Sequence, residues 1–301
     1  MELSDKKFAV LIDADNISHR KIKDILDEIA NYGTPTIKRI YGDFTDPKFA
    51  AWKSVLLENS ITPIQQYAYT TGKNATDSAL IIDAMDILHK ESVNGFCIVS
   101  SDSDYTRLAS RIRESGREVL GFGEKKTPKP FIKSCDKFIY VEILGQPAPA
   151  PAPVSAPAQT TAAVPAAKAA TPKKTAKKHQ GRNAPETDMP EAAPAEPAAA
   201  EKKVAPAPDT AQPQPIIRPI DDDFKTLLAN TIEDAADDSG WAFLGIVGGV
   251  LTKKMPDFDP RNYGYKKLSL LVKSLLKIVE IEERPSENKE LKLVYVRNRI
   301  R

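Results

Sequence analysis

Between Gln146 and Ile220 the chain holds 16 of its 24 prolines and 22 alanines, but no Phe, Trp or Tyr. A segment of that composition cannot bury enough apolar surface to offset the entropy lost on ordering, and its prolines favour an extended backbone. The composition predicts a disordered linker over 146–220, with independently folding parts at 1–145 and 221–301. Within the linker, Lys173, Lys174, Lys177, Lys178 and Arg182 form a basic cluster. Such a cluster is either solvated linker charge or a weak, salt-sensitive phosphate contact.

Bulk charge is uninformative. The formal net charge is +2 over 301 residues, so any nucleic-acid signal must come from local patches. The two cysteines, Cys97 and Cys135, lie far apart near apolar runs and read as reduced thiols. The three histidines are scattered and form no metal-binding pair. No apolar core follows the N-terminal residues as in a signal peptide, and no apolar run reaches the roughly 18 residues that span a bilayer. A cytoplasmic protein without a membrane association is expected.

The first part alternates two periodicities. Phe8–Ile12 is a continuous apolar run, as in a strand buried on both faces. Further strands are predicted at 36–41, 61–66, 95–100, 118–122 and 137–141. Helices are predicted at 21–32, 47–58, 75–89 and 104–114. This alternation predicts an α/β domain with a mostly parallel, Rossmann-like sheet. The last part reads as three helices (224–236, 242–251 and 266–276) followed by a hairpin, the outline of a small winged-helix α+β domain.

Carboxylates cluster at predicted strand ends. Asp13 closes the first strand in Leu11-Ile12-Asp13-Ala14-Asp15-Asn16, and Asp102 and Asp104 follow the fourth in Ser100-Ser101-Asp102-Ser103-Asp104. Asp77 opens the long third helix. Ligands of open parallel sheets bind beyond the carboxyl ends of strands, where the strand order reverses. Acids gathered there repel one another, and a hard divalent cation with oxygen ligands offsets that repulsion. Each acid taken alone also fits a capping role; convergence favours a site. Asn16, Ser100 and Ser101 are candidate hydrogen-bonding partners of a bound water or phosphate, and Asp15 a candidate outer group. Asp83 follows Asp77 by six residues, about 240° away around a helix, so it is expected to point elsewhere.

Together with Thr76-Asp77-Ser78-Ala79-Leu80-Ile81-Ile82-Asp83, these motifs resemble the NYN domain, a branch of the PIN-like nucleases, over residues 5–143. The resemblance implies a Rossmann-like fold and a ribonuclease that uses Mg2+ or Mn2+ to cut RNA. It assigns the metal-binding roles to Asp13, Asp77, Asp102 and Asp104, and a polar role at the same site to Asn16. The stretch Asp257 to Val272, with Gly264 between Tyr263 and Tyr265, resembles an OST-HTH/LOTUS domain. That family implies binding of RNA, or sometimes of a protein partner. From Arg261 to Lys277 there are five basic residues and no acid. Arg261, Lys266, Lys267 and Lys273 are accordingly expected to meet phosphates, and Tyr263 and Tyr265 to stack on bases. A non-catalytic RNA-binding or regulatory protein that keeps the fold is the alternative. A dinucleotide-binding protein is disfavoured, since no G-x-G-x-x-G turn follows the first strand.

Overall fold

The computed structural model describes residues 6–67, 75–145, 217–285 and 292–299. The predicted linker up to residue 216, its basic cluster, and most of the turn predicted between the last two strands lie outside the described residues.

The first part is one sheet of β1 (Lys7–Asp13), β2 (Thr34–Gly42), β3 (Thr62–Gln65), β4 (Gly95–Val99), β5 (Glu118–Gly123) and β6 (Lys137–Tyr140). Its order is β3-β2-β1-β4-β5-β6, with every neighbouring pair parallel. The connections run through α1 (Ile22–Ile29), α2 (Trp52–Glu58), α3 (Ala75–Lys90), α4 (Thr106–Glu114) and α5 (Lys129–Ser134). Strands alternate their side chains between two faces. Phe8, Val10 and Ile12 therefore meet Ile22, Ile25, Ile29 and Trp52 of α1 and α2. Ala9 and Leu11 meet Leu80 of α3, Leu108 of α4 and Phe131 of α5 on the opposite side. Burial on both faces accounts for the unbroken apolar run of β1. The chain builds outward from β1 to β3, crosses back through α3, and resumes at β4 on the other side of β1. The strand order thus reverses between β1 and β4.

The last part contains α6 (Asp222–Asp234), β7 (Ala242–Phe243), α7 (Leu244–Lys254), α8 (Leu268–Lys273), β8 (Val279–Pro285) and β9 (Lys292–Asn298). The three strands form an antiparallel sheet in the order β7-β9-β8. Asp221 caps α6, its Oδ1 accepting the Phe224 N–H at 2.8 Å. Phe224, Phe258 and Tyr263 stack in the core, with the Phe224 and Tyr263 ring centroids 4.7 Å apart. Gly264 then turns the chain with φ 82°, in the left-handed region where a side chain is disfavoured.

The two folded parts belong to one compact unit. The Phe138 N–H of edge strand β6 donates to the Pro256 carbonyl at 2.8 Å. Arg218 donates to both Tyr140 Oη and Asp257, each at 2.9 Å. Arg261 grips Glu28 of α1 with two hydrogen bonds, at 3.0 and 2.8 Å, and also holds Asp259 at 2.7 Å. The Glu28 and Asp259 side chains are only 11% and 8% exposed. Stripping a cation from nearly buried carboxylates leaves them uncompensated. Arg261→Ala should therefore destabilise the protein by about 2 kcal/mol, less than for a fully buried pair because Arg261 itself reaches solvent. A lower denaturant midpoint at unchanged slope is the expected signature; an unchanged midpoint would show that the pair contributes nothing net.

Candidate metal centre

The site lies where β1 and β4 end side by side, with Ile12 paired to Val99. Asp13, the last residue of β1, is fully buried. Its Oδ2 accepts from Ser100 Oγ at 2.8 Å and from Asn16 Nδ2 at 2.7 Å, and its Oδ1 accepts the Asp15 N–H at 3.0 Å. Burial raises the Asp13 carboxyl above its ordinary pKa of 3.8; the Ser100 and Asn16 hydrogen bonds oppose that rise, and the charge of Asp77 adds to it. Ser100 Oγ also accepts the Asp102 N–H at 3.0 Å. One hydroxyl thus ties the acid of β1 to the loop after β4.

That loop turns sharply because Asp102 Oδ1 accepts the Asp104 N–H at 2.9 Å, capping the single turn Ser103–Tyr105 that leads into α4. Tyr105 is fully buried and its hydroxyl donates to Asp77 Oδ1 at 2.7 Å. Asp77 occupies the first turn of α3. Burial raises its pKa most, the Tyr105 hydrogen bond opposes, and the charges of Asp102, Asp104 and Asp15 push further upward.

Carboxylate oxygens of Asp77, Asp102 and Asp104 all lie within 4.8 Å of one another. This tight group has three members rather than the four expected from the sequence. Asp13 lies outside this group: it is fully buried, and its two oxygens accept from Ser100, Asn16 and the Asp15 N–H. Three anionic oxygen donors at this spacing, two of them half-buried, fit a hard divalent cation such as Mg2+ or Mn2+.

The remaining expected residues divide clearly. Asp83 points away, paired with Arg39 and accepting from Tyr41 Oη at 2.5 Å. Asp15 pairs with Lys48 at 2.9 Å. In the last part, Tyr263 is 6% exposed, so the expectation that it stacks on bases is corrected: its ring fills the core between Phe224 and Phe258. Tyr265 is half-buried against the same core. Arg261 is committed to Glu28 and Asp259, and Lys273 pairs with Glu283 at 2.9 Å. Lys266 and Lys267 are exposed. Tyr105 had no role in the sequence reading. Its one available signal is position: an aromatic beside Asp104, in register with the buried face Leu108, Ala109 and Ile112.

Residues 7–143 match the NYN domain model, and residues 215–291 match the OST-HTH/LOTUS domain model. No curated protein matches the chain. Among solved structures, the chain is similar to a Vibrio parahaemolyticus protein of unknown function, at 20% identity and TM-score 0.39, over 46% of this chain and 96% of that one. It is also similar to an uncharacterized Nitrosomonas europaea protein determined by solution NMR, at 35% identity and TM-score 0.26, over 34% of this chain and 94% of that one.

Proposed function

For a chain that carries an NYN domain followed by an OST-HTH/LOTUS domain, we propose the function of a metal-dependent ribonuclease that hydrolyses RNA phosphodiester bonds. The observation that carries this reading is the convergence of Asp77, Asp102 and Asp104, drawn from two separate segments, at the reversal point of the sheet. When bound there, Mg2+ or Mn2+ supplies charge compensation for a scissile phosphate and lowers the pKa of water. The protein's own groups position that chemistry. Tyr105 fixes the rotamer of Asp77 through its hydroxyl, Ser100 fixes the backbone of Asp102, and Ser100 and Asn16 hold the buried carboxyl of Asp13 beside the triad. Lys266 and Lys267, exposed at the start of α8, offer phosphate contacts in the second domain. Among the described residues no helix is long and apolar enough to cross a membrane.

Incubating purified protein with labelled single-stranded and structured RNAs tests the proposal. Cleavage is expected with Mg2+ or Mn2+ and should disappear in EDTA. RNA binding without cleavage under any of these conditions would instead support a non-catalytic RNA-binding protein.

A further inference from the structure

Two open clefts flank the contact between β6 and the Pro256 segment, with volumes of about 560 and 760 Å3. Lys133 of α5 lines both. Basic side chains outnumber acidic ones along their walls, and several of the acids already have cationic partners: Asp136 pairs with Arg113 at 2.9 Å, Glu118 with Lys6 at 2.7 Å, and Asp257 with Arg218 at 2.9 Å. Among the described residues, no carboxylate lies at ion-pair distance from Arg117, Lys129, Lys133 or Lys253. The first three belong to the NYN domain and Lys253 to α7 of the LOTUS domain.

We infer that this seam is a phosphate-binding track for the RNA strand, built by both domains together. This rests on the ribonuclease reading and adds to it a second surface that holds the substrate strand. The cations are spread along two open clefts, with Lys129, Lys133 and Lys253 exposed rather than gathered in one closed cradle, so they suit an extended polyanion better than a small anion. Lys129 and Lys133 are four residues apart and share one face of α5. The same helix contributes Phe131, whose ring centroid lies 6.5 Å from that of Tyr105, the residue that holds Asp77. Helix α5 thus packs, through a contact buried in the core, on the residue that holds Asp77. The bland alternative, lysines that are only solvated, predicts no coupling of these positions to RNA.

Binding of the full-length protein to labelled single-stranded RNA, measured by fluorescence anisotropy in EDTA across a range of salt concentrations, tests the track. Lys133→Ala and Lys253→Ala should each reduce the slope of log affinity against log salt by about 0.7, as expected for one lost phosphate contact on a single strand. The double variant should bind about tenfold more weakly at low salt, and Lys→Arg at both positions should restore binding. Unchanged slopes would overturn the track, as would an effect confined to Lys253, since the NYN domain would then take no part. Cleavage is read separately in Mg2+: a wild type that binds but never cleaves removes the hydrolytic reading and leaves the track, whereas cleavage alongside unchanged slopes removes the track alone.

Discussion

Asp102→Asn should lower metal-dependent RNA hydrolysis by at least about 10^3, with little change in stability. The asparagine keeps an oxygen able to accept the Asp104 N–H that Asp102 now accepts at 2.9 Å, so the turn into α4 survives. What it loses is the negative charge that draws a cation to the triad. Tyr105→Phe supplies a graded comparison. It preserves the ring packing against Phe131 but removes the hydrogen bond that fixes Asp77. Its rate should fall by about tenfold, mainly through a higher half-saturating Mg2+ concentration. Wild-type activity in purified Asp102→Asn would sink the assignment of the triad.

Asp13→Asn is expected to separate stability from activity. Asp13 is fully buried and its pKa is raised, chiefly by desolvation. A carboxyl with a raised folded pKa contributes stability that is full below its unfolded value near 3.8 and is lost as pH rises through the folded value. At neutral pH without metal, the charged form is therefore a burden on the fold. The asparagine removes that burden, so Tm in EDTA should rise by about 2–4 °C at pH 7 for each kcal/mol regained. The gain should shrink as pH approaches 4, while hydrolysis should fall, since the variant removes a carboxylate whose charge is coupled to that of Asp77. A variant less stable than wild type at pH 7 in EDTA would show that the donors around Asp13 outweigh its desolvation.

The centre was legible in the sequence because its placement depends on rules that local patterning obeys. A parallel sheet with right-handed crossovers places strand carboxyl ends on one side, so Asp13, Asp102 and Asp104 declare themselves by following apolar runs. Asp83 likewise betrays its direction by helical rotation from Asp77. Other elements left no local trace. Helix α5 has six residues and a proline, too short to show a period, and its buried Phe131 and Ile132 read as isolated hydrophobes. Strand β7 has only two residues and merges in sequence with the apolar start of α7. Arg261 and Tyr263 carry the chemistry of an RNA contact, yet tertiary partners claimed both. Glu28 lies 233 residues from Arg261, a distance at which no periodicity speaks.

The bond from Phe138 to Pro256 bears on how an open sheet avoids its own copies. A margin strand offers unpaired N–H and C=O groups to any passing extended chain, and proteins that leave such margins bare invite fibrous or swapped assemblies. Here the two margins of the sheet are covered in different ways. At one margin, Pro63 sits within β3 and has no N–H to offer. At the other, the Pro256 carbonyl takes the Phe138 N–H for itself. The second domain thus covers an outward N–H of that margin: a chain cut after residue 145 would bare it, and is expected to self-associate more readily than the full chain when followed by light scattering.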